Sequence, residues 1–353
     1  MSVLSSRGSM LELKSEIIKY AHTLSIDLIG FTTADRFNGL ENILNERKKK
    51  NYLSEFEEEN FELRINPRKT LKSARSIVVI GQSYYSNIDS SPVDTNRSKF
   101  QGDLARISWG EDYHIVLKEK LDKLSSFIGN KHSDFQFLSF VDTGPLVDRH
   151  VAWRAGLGVF GKNNCLINDK LGSWFVIGYM LTNLDIEADK PKENICCINC
   201  NICIKECPTG AIEKPHVINV KKCISYILQS KDSILENNRE LLETRIYGCD
   251  ICQNKCPKNF MVTETSLDEF KPIVKQIDLV DLLTISNKKF KLLLGNNSAG
   301  WRGKKILQRN AIIAMGNQNR ASAIPYLLPY LTDDRVEMRE YARWAIAKLK
   351  KLT

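Results

Sequence analysis

The segment CCINCNICIKECP (196–208) places five cysteines within thirteen positions, and eight of the chain's ten cysteines lie between 196 and 252. The region from 196 to about 260 is rich in loops, so it cannot form a conventional apolar core. We therefore expect bonds from its thiolates to metal to hold it together. The N-terminal MSVLSSRGSM lacks the apolar core of a signal peptide, which predicts a cytoplasmic chain without structural disulfides.

The first cysteine run has the spacing C-x2-C-x2-C-x3-C-P. It consists of Cys197, Cys200, Cys203 and Cys207, followed by Pro208. This spacing is typical of bacterial ferredoxins, in which three thiolates bind one [4Fe–4S] cube and the fourth binds a second cube. Zinc sites more often use two C-x2-C pairs with a longer spacer. The run therefore predicts an iron–sulfur cluster.

A second run keeps the same spacing but lacks its leading cysteine. Cys249, Cys252 and Cys256 are present, while Ile246 occupies the first position, so Cys223 is expected to supply the missing thiolate. Eight ligands then serve two [4Fe–4S] clusters. We define the first cysteine set as Cys197, Cys200, Cys203 and Cys256, and the second cysteine set as Cys207, Cys223, Cys249 and Cys252.

Two cysteines remain outside these sets. Cys196 would break the spacing, and Cys165 is expected to serve packing. Two linked clusters carry single electrons, which implies a further site in the protein where these electrons reduce a cofactor or substrate. No G-x-G-x-x-G follows a predicted strand, so a nicotinamide or flavin Rossmann site is unsupported.

Helices alternate with strands before the cysteine region. Predicted helices cover 10–24, 112–128 and 147–158, and predicted strands cover 26–34, 73–85, 134–142 and 173–181. This alternation favours an α/β or α+β domain with a central sheet. After residue 277 the pattern is helical, and 304–316 and 323–350 resemble one or two HEAT-like units that must lean on the preceding domain.

Positive charge is concentrated at the C-terminus. The whole chain has a net charge of +9, and residues 301–353 contain eleven Lys+Arg against four Asp+Glu, a difference of 11 − 4 = +7. This excess is either a solvated helical surface or a contact for nucleic-acid phosphates. The longest apolar run, 174–181, is too short to span a bilayer, so no membrane association is expected.

Polar residues cluster at likely strand ends between 60 and 165. Asp142 ends a predicted strand, where it could act as a general acid above a cleft or simply form a turn. The glycine-rich GLGVFGKNN (156–164) could pass close to a large cofactor or be an ordinary turn. His114 stands in a D-x-H sequence that begins like a cobalt-ligand motif, but Leu117 replaces the glycine of that motif. We therefore do not interpret His114 as an axial ligand.

Together these segments resemble the epoxyqueuosine reductase family over nearly the whole chain. The resemblance rests on RINP (64–67), WGEDYH (109–114), VDTGPLVDR (141–149), GLGVFGKN (156–163), CISY (223–226), the paired cysteine runs and the helical tail. It implies a cobalamin-binding α/β domain at 1–190, a ferredoxin-like domain with two [4Fe–4S] clusters at 191–275, and a HEAT-like region at 276–353 that helps hold tRNA. Cobalamin would have no histidine ligand from the protein.

The resemblance also implies roles for individual residues. Asp142 matches the family's proton donor. Regions expected to line the corrinoid contain Arg64, Asp112, Tyr113, Asp142, Gly158, Gly161, Lys162 and Ser225. The partners implied are tRNA carrying epoxyqueuosine and an external low-potential electron donor. Because a proton donor must be protonated, we expect burial to raise the pKa of Asp142.

Two other functions fit the same motifs. One is another corrinoid-dependent reductase, such as a reductive dehalogenase, which the basic tail and the lack of an export signal disfavour. The other is a ferredoxin-like electron-transfer subunit whose N-terminal domain only binds a partner. Corrin absorption beside iron–sulfur absorption would separate the enzyme from the carrier.

Overall fold

A computed structural model describes residues 2–87, 99–192 and 197–351, with side chains described from residue 11 onward. Helix α1 (Ser2–Thr23) begins earlier than the predicted helix at 10–24. Cys196, predicted to be outside both cysteine sets, lies outside the described residues. None of the helices in these ranges is long and apolar enough to cross a membrane.

The N-terminal half is built on one antiparallel sheet. Its four strands have the order β1-β2-β7-β4, and each of the four predicted strands contributes one of them. Their bounds are β1 Leu28–Thr33, β2 Ser76–Ser83, β4 Phe137–Val141 and β7 Phe175–Thr182. An all-antiparallel sheet covered by helices makes this part of the protein α+β.

Strand β2 lies at the centre of this sheet and is buried along its whole length. Ile77 and Val79 face one apolar cluster, while Val78 and Ile80 face another, as the two-residue period of a strand requires. Helices cover both faces, which explains why the strand is a continuous apolar run. The helices of this half are α1, α2 Leu40–Lys49, α3 Phe61–Ile65, α4 Pro67–Thr70, α5 Tyr113–Gly129 and α6 Asp148–Arg154.

The cysteine region consists of short elements, as expected. Two small hairpins frame it, β5 Val159–Phe160 with β6 Leu166–Ile167, and β8 Ile212–Lys214 with β9 Val217–Ile218. Its helices are α7 Ile202–Lys205, α8 Ile224–Ile227, α9 Glu236–Arg239 and α10 Ile251–Asn254. None of these helices exceeds four residues, so the segment depends on what its side chains bind.

A second sheet joins the three parts of the chain. Strand β3 (Gln101–Leu104) pairs in parallel with β10 (Arg245–Tyr247) and antiparallel with β11 (Gln276–Asp278). The domain boundaries near 190 and 275 stay a prediction, but this sheet and one apolar cluster extend across both of them. The cysteine region is therefore held rigidly against the N-terminal half.

The C-terminal helices pack onto the cysteine region rather than standing apart from it. Their bounds are α11 Leu279–Thr284, α12 Asn287–Leu294, α13 Lys304–Asn317, α14 Ile324–Leu327 and α15 Val336–Lys350. The predicted helical segment 323–350 is interrupted, because Pro329 falls in a 3-10 turn between α14 and α15.

Helix α13 is buried from Leu307 to Gly316, including its polar residues. The Arg309 guanidinium donates to the carbonyls of Ser230, Asp232, Ile227 and Leu228, all in the cysteine region. Asn310 donates to the carbonyls of Leu228 and Ile246 at 2.8 Å each. The C-terminal helices thus depend on the preceding part of the chain for their packing.

Replacing Arg309 should weaken the packing of α13 on the cysteine region. Arg309→Ala removes the donor to the carbonyls of Ser230, Ile227 and Asp232 and one of the two donors to Leu228, which should cost ~3 kcal/mol or more of unfolding free energy. Urea unfolding measures the loss. The matched control Arg343→Ala removes an exposed arginine from α15 and should change stability by less than ~0.5 kcal/mol. Equal stability of the two variants would contradict this role for Arg309.

Candidate functional site

The first cysteine set surrounds one small cavity. Cys197, Cys200, Cys203 and Cys256 line it together with Ile202, Pro257, Lys162, Asn163 and Ile167. Helices α7 and α10 place the thiols, and each helix ends just before a Cys-Pro pair that stops it. Burial, together with the charges of Cys252 of the second set and of the other thiols of the first set, raises the pKa of the Cys203 thiol to about 11.

The thiols of the second cysteine set also influence one another. Burial raises the pKa of Cys249 to about 12, with contributions from Cys223 and Cys252. Burial likewise raises the pKa of Cys223, with contributions from Cys252 and Cys207. Cys207, Cys223, Cys249 and Cys252 are therefore close to one another, but Cys252 also acts on Cys203 and Cys256 of the first set, so the crossing of the two ligand sets stays a prediction.

The chemistry of these thiols fits two cubes. A cube binds each thiolate to a different iron atom, so its ligands surround a cavity. Within the described ranges, no group of three or more His, Cys, Asp or Glu side chains is arranged to hold a single metal ion. Ile246, which replaces the leading cysteine of the second run, is fully buried in β10 and packs in an apolar cluster.

Cys165 has a contact that its predicted packing role did not include. Its thiol forms a hydrogen bond with Cys252 of the second cysteine set. Asn163, from the same β5–β6 hairpin, also donates to Cys252. The hairpin therefore contacts one member of the second set while it lines the cavity of the first set.

Removing single cysteines tests the ligand sets. Cys223→Ala leaves the second cysteine set with three thiols, so iron bound per chain should fall from about eight atoms to about four. Cys165→Ala removes a neighbour of the set and should retain about eight. Iron and acid-labile sulfide assays on anaerobically reconstituted protein measure both. Loss of iron from Cys165→Ala but not from Cys223→Ala would contradict the assignment.

Asp142 lies in a tight turn directly after β4. Its backbone is left-handed (φ 57°), a conformation that Asp and Asn tolerate better than most side chains. Gly144 follows closely, and a Cβ there would come within 2.1 Å of the Tyr179 hydroxyl. Packing thus fixes the turn and leaves the Asp142 side chain 66% exposed.

His114 links Asp142 to Asp112. Asp112 caps α5 by accepting from the His114 backbone N–H at 3.0 Å, and its Oδ1 lies 2.7 Å from His114 Nδ1. The other ring nitrogen, Nε2, lies 3.6 Å from Asp142 Oδ2. The Tyr113 ring stacks on the imidazole with centroids 4.1 Å apart. Carboxylates therefore flank both nitrogens of His114.

These contacts decide where protons reside. Burial opposes the charge of His114, but its hydrogen bonds to Asp112 and Asp142 outweigh burial and raise its pKa to about 9. The same hydrogen bond from His114 lowers the pKa of Asp142. The pKa of Asp142 is therefore lowered, and the expectation that burial raises it is wrong. At neutral pH the proton resides on His114.

Asp148 is a second proton holder, which the sequence analysis missed. It is the first residue of α6, and its Oδ1 is buried without a hydrogen-bond partner among the described residues. Burial, together with the negative charge of Asp142, raises the pKa of Asp148 to about 8. Its position six residues after Asp142, in VDTGPLVDR, was the available signal.

Other predicted residues make contacts within the protein. Arg64 is buried and pairs with Glu57 at 2.7 Å. Lys162 Nζ donates to Asn201 Oδ1 at 2.9 Å, and Ser225 accepts from Gln229 through its carbonyl at 2.8 Å. Gly158 and Gly161 allow the β5–β6 hairpin to close, since a Cβ at either would meet Ile167 within 2.7 Å.

Two aromatic residues near Asp142 were also missed. We call the turn at Asp142–Gly144 the catalytic turn, after the role expected for Asp142. Burial and the charges of Asp112 and Asp142 raise the pKa of Tyr247, so its hydroxyl lies near this turn. Tyr247 is hydrogen-bonded to Trp301, whose ring is 52% exposed and lies 5.3 Å from that of Phe56. Cys249 of the second cysteine set follows Tyr247 by two residues. Tyr247 thus links the Asp142 region to β10, from which the chain continues to Cys249 of the second cysteine set.

The pH dependence of stability tests the charge on His114. Because its pKa rises from 6.5 to about 9 on folding, the imidazolium stabilises the fold fully below about pH 6.5 and loses this effect as pH rises through 9. His114→Asn should therefore lower Tm most near pH 6 and little above pH ~9.5. The control His22→Asn changes an exposed histidine of α1. A Tm difference for His114→Asn that is constant with pH would contradict the assignment.

Comparisons with known proteins cover nearly the whole chain. Residues 64–143 match the family model described as Epoxyqueuosine reductase QueG, DUF1730, and residues 196–259 match a 4Fe-4S double cluster binding domain. Epoxyqueuosine reductase from Staphylococcus aureus is 43% identical over 96% of this chain and 89% of its own length.

Two solved structures are similar throughout. One is an epoxyqueuosine reductase with a tRNA-Tyr epoxyqueuosine-modified tRNA stem loop (TM-score 0.92, 41% identity, 96% of this chain and 91% of that one). The other is the Bacillus subtilis epoxyqueuosine reductase with its catalytic aspartate loop swung out of the active site (TM-score 0.92, 40% identity, the same coverage). At this identity and coverage, the chain belongs to the epoxyqueuosine reductase family.

Proposed function

We propose that this protein reduces epoxyqueuosine to queuosine in tRNA, in the cytoplasm. The proposal depends on one observation. Tyr247, whose hydroxyl lies near the turn at Asp142, is two residues from Cys249 of the second cysteine set. His114 and Asp148 hold protons beside Asp142 and Tyr247. Removal of an epoxide oxygen as water consumes two electrons and two protons, and this site has a source for each.

Cobalamin is the cofactor that fits the remaining requirement. When bound, it would supply a strongly reducing metal centre at the substrate. The residues here fit a corrinoid held without a histidine ligand, because Asp112 and Asp142 flank both ring nitrogens of His114. The residues that would hold it are those around the exposed Asp142, including Tyr113 and Ser225, together with the β5–β6 hairpin.

The chain's own residues manage the protons. Asp142 is the exposed carboxyl group and would donate a proton to the departing epoxide oxygen. At neutral pH His114 holds that proton. A bound ligand that shields Asp142 from water would raise the pKa of its carboxyl group. The proton would then move from His114 to Asp142. Asp148, next to Asp142, would supply the second proton.

The tRNA would bind through phosphates and one base. Residues 301–353 contain most of the chain's excess positive charge, and phosphate contacts of this kind position RNA without reading its sequence. Trp301 and Phe56 expose aromatic rings near Tyr247, where an unpaired base can stack. A base must leave its helix to reach Asp142, so single-stranded loop RNA is the expected substrate.

Asp142→Asn tests the proton-donor role. Asparagine tolerates the left-handed backbone at this position, so the turn should remain while the acid is lost. Turnover of epoxyqueuosine tRNA should fall ~10²- to 10⁴-fold, with iron content and tRNA affinity retained. The control Asp185→Asn removes an exposed carboxylate that pairs with Arg75 and should keep wild-type turnover. Wild-type turnover by Asp142→Asn would exclude Asp142 as the donor.

A further inference from the structure

Large apolar side chains are exposed around the first cysteine set. Their exposed fractions are 75% for Ile198, 38% for Ile202, 65% for Phe260 and 95% for Met261. We call these four residues the apolar patch. Exposed apolar residues scattered singly are ordinary, whereas a group that surrounds one site marks an interaction surface.

Backbone geometry brings the patch together at the cysteines. Ile198 lies between Cys197 and Cys200 in sequence, and Ile202 lines the cavity of the first set together with Pro257. Phe260 follows Pro257 by one 3-10 turn, in which its N–H donates to the Pro257 carbonyl at 3.3 Å. The patch therefore adjoins the first cysteine set.

The rim of the patch is basic. Lys205, Lys255 and Lys258 are exposed on the two cysteine turns, and Glu206, 3.8 Å from Lys255, is the exposed carboxylate of the same turns within the described residues 197–208 and 251–261. The rim charge is therefore 3 − 1 = +2. An apolar centre with a charged rim is the usual composition of a transient protein interface. A basic rim selects a partner with an acidic surface.

The two cysteine sets differ in what they face. The second set adjoins the catalytic turn, because Cys249 follows Tyr247 by two residues and the charges of Asp112 and Asp142 act on Tyr247. The first set faces the apolar patch. Electrons that pass through both sets to the substrate beside Asp142 must therefore enter at the first one.

We propose that a small acidic electron-carrier protein, containing a flavin or an iron–sulfur centre, docks on the apolar patch and is steered there by Lys205, Lys255 and Lys258. The proposal rests on the proposed function, which requires an external electron source. One electron leaves the carrier's reduced centre, which becomes oxidised, and reduces the cluster held by the first cysteine set. No covalent bond forms or breaks in this step.

Charge reversal tests the rim. Holoprotein carrying Lys205→Glu, Lys255→Glu and Lys258→Glu is mixed with a reduced acidic [2Fe–2S] ferredoxin, and cluster reduction is followed by stopped-flow absorbance. The second-order rate constant should fall ~10- to 100-fold at low salt. The difference should shrink toward ~0.5 M salt, where charges are screened. The control reverses Lys48, Lys49 and Lys50, exposed lysines of α2 and the following turn, with the same change in net charge.

The apolar patch needs a separate variant. Phe260→Ser with Met261→Ser should weaken ferredoxin binding ~10-fold in calorimetry, with little change in its salt dependence. Sodium dithionite, which needs no docking surface, should reduce the clusters of every variant at the wild-type rate.

Reduction of the rim variant by ferredoxin at the wild-type rate would overturn the docking proposal. The two proposals fail separately. If ferredoxin docks as described but the wild-type protein leaves epoxyqueuosine tRNA unchanged, the proposed function is wrong and the docking surface stands.

Discussion

The pairing of β10 with β3 is the constraint on which the rest of the site depends. Strand β3 belongs to the N-terminal half, and β10 leads directly into Cys249. The parallel pairing therefore ties a cluster ligand to the part of the chain that contains the catalytic turn. Strand β11 completes this sheet, and the buried helix α13 packs against it, with Asn310 donating to the Ile246 carbonyl of β10 and Arg309 to the nearby Leu228 carbonyl. The distance between cluster and catalytic turn is set by backbone rather than by flexible side chains.

The pKa of Asp142 is set mainly by its hydrogen bond with His114 and not by burial. A lone buried carboxyl group holds its proton, but Asp142 is exposed and faces an imidazolium, so it is ionised. The proton needed for catalysis is stored one hydrogen bond away, on His114, whose own charge is stabilised by Asp112. Asp148 keeps a second proton because it is buried and lies close to the charge of Asp142. An acid stored in this way becomes available when a ligand excludes water from the turn.

The sequence predicted the features that depend on local spacing. The four strands of the central sheet followed from local patterns of apolar residues. The crossed cysteine sets and the absence of a cobalt ligand at His114 stay predictions. Asp148 and Tyr247 were missed, because their roles arise from packing against Asp142 and Asp112, which sequence order does not reveal. The same limit applies to Arg64, whose ion pair with Glu57 became visible only in the fold. The second sheet joins strands more than a hundred residues apart, so no local pattern could predict it.

Both proposed partners of this protein are acidic, so both would bind to positively charged parts of its surface. A tRNA and an acidic electron carrier would compete for one basic face, and each would exclude the other at low salt. The chain separates its positive charge instead, with one group around the first cysteine set and a larger excess in residues 301–353. The aromatic rings of Trp301 and Phe56 lie on the Tyr247 side, whereas the apolar patch borders the first set. Electron supply and RNA binding then use different surfaces, so one chain can be reduced while its substrate is bound.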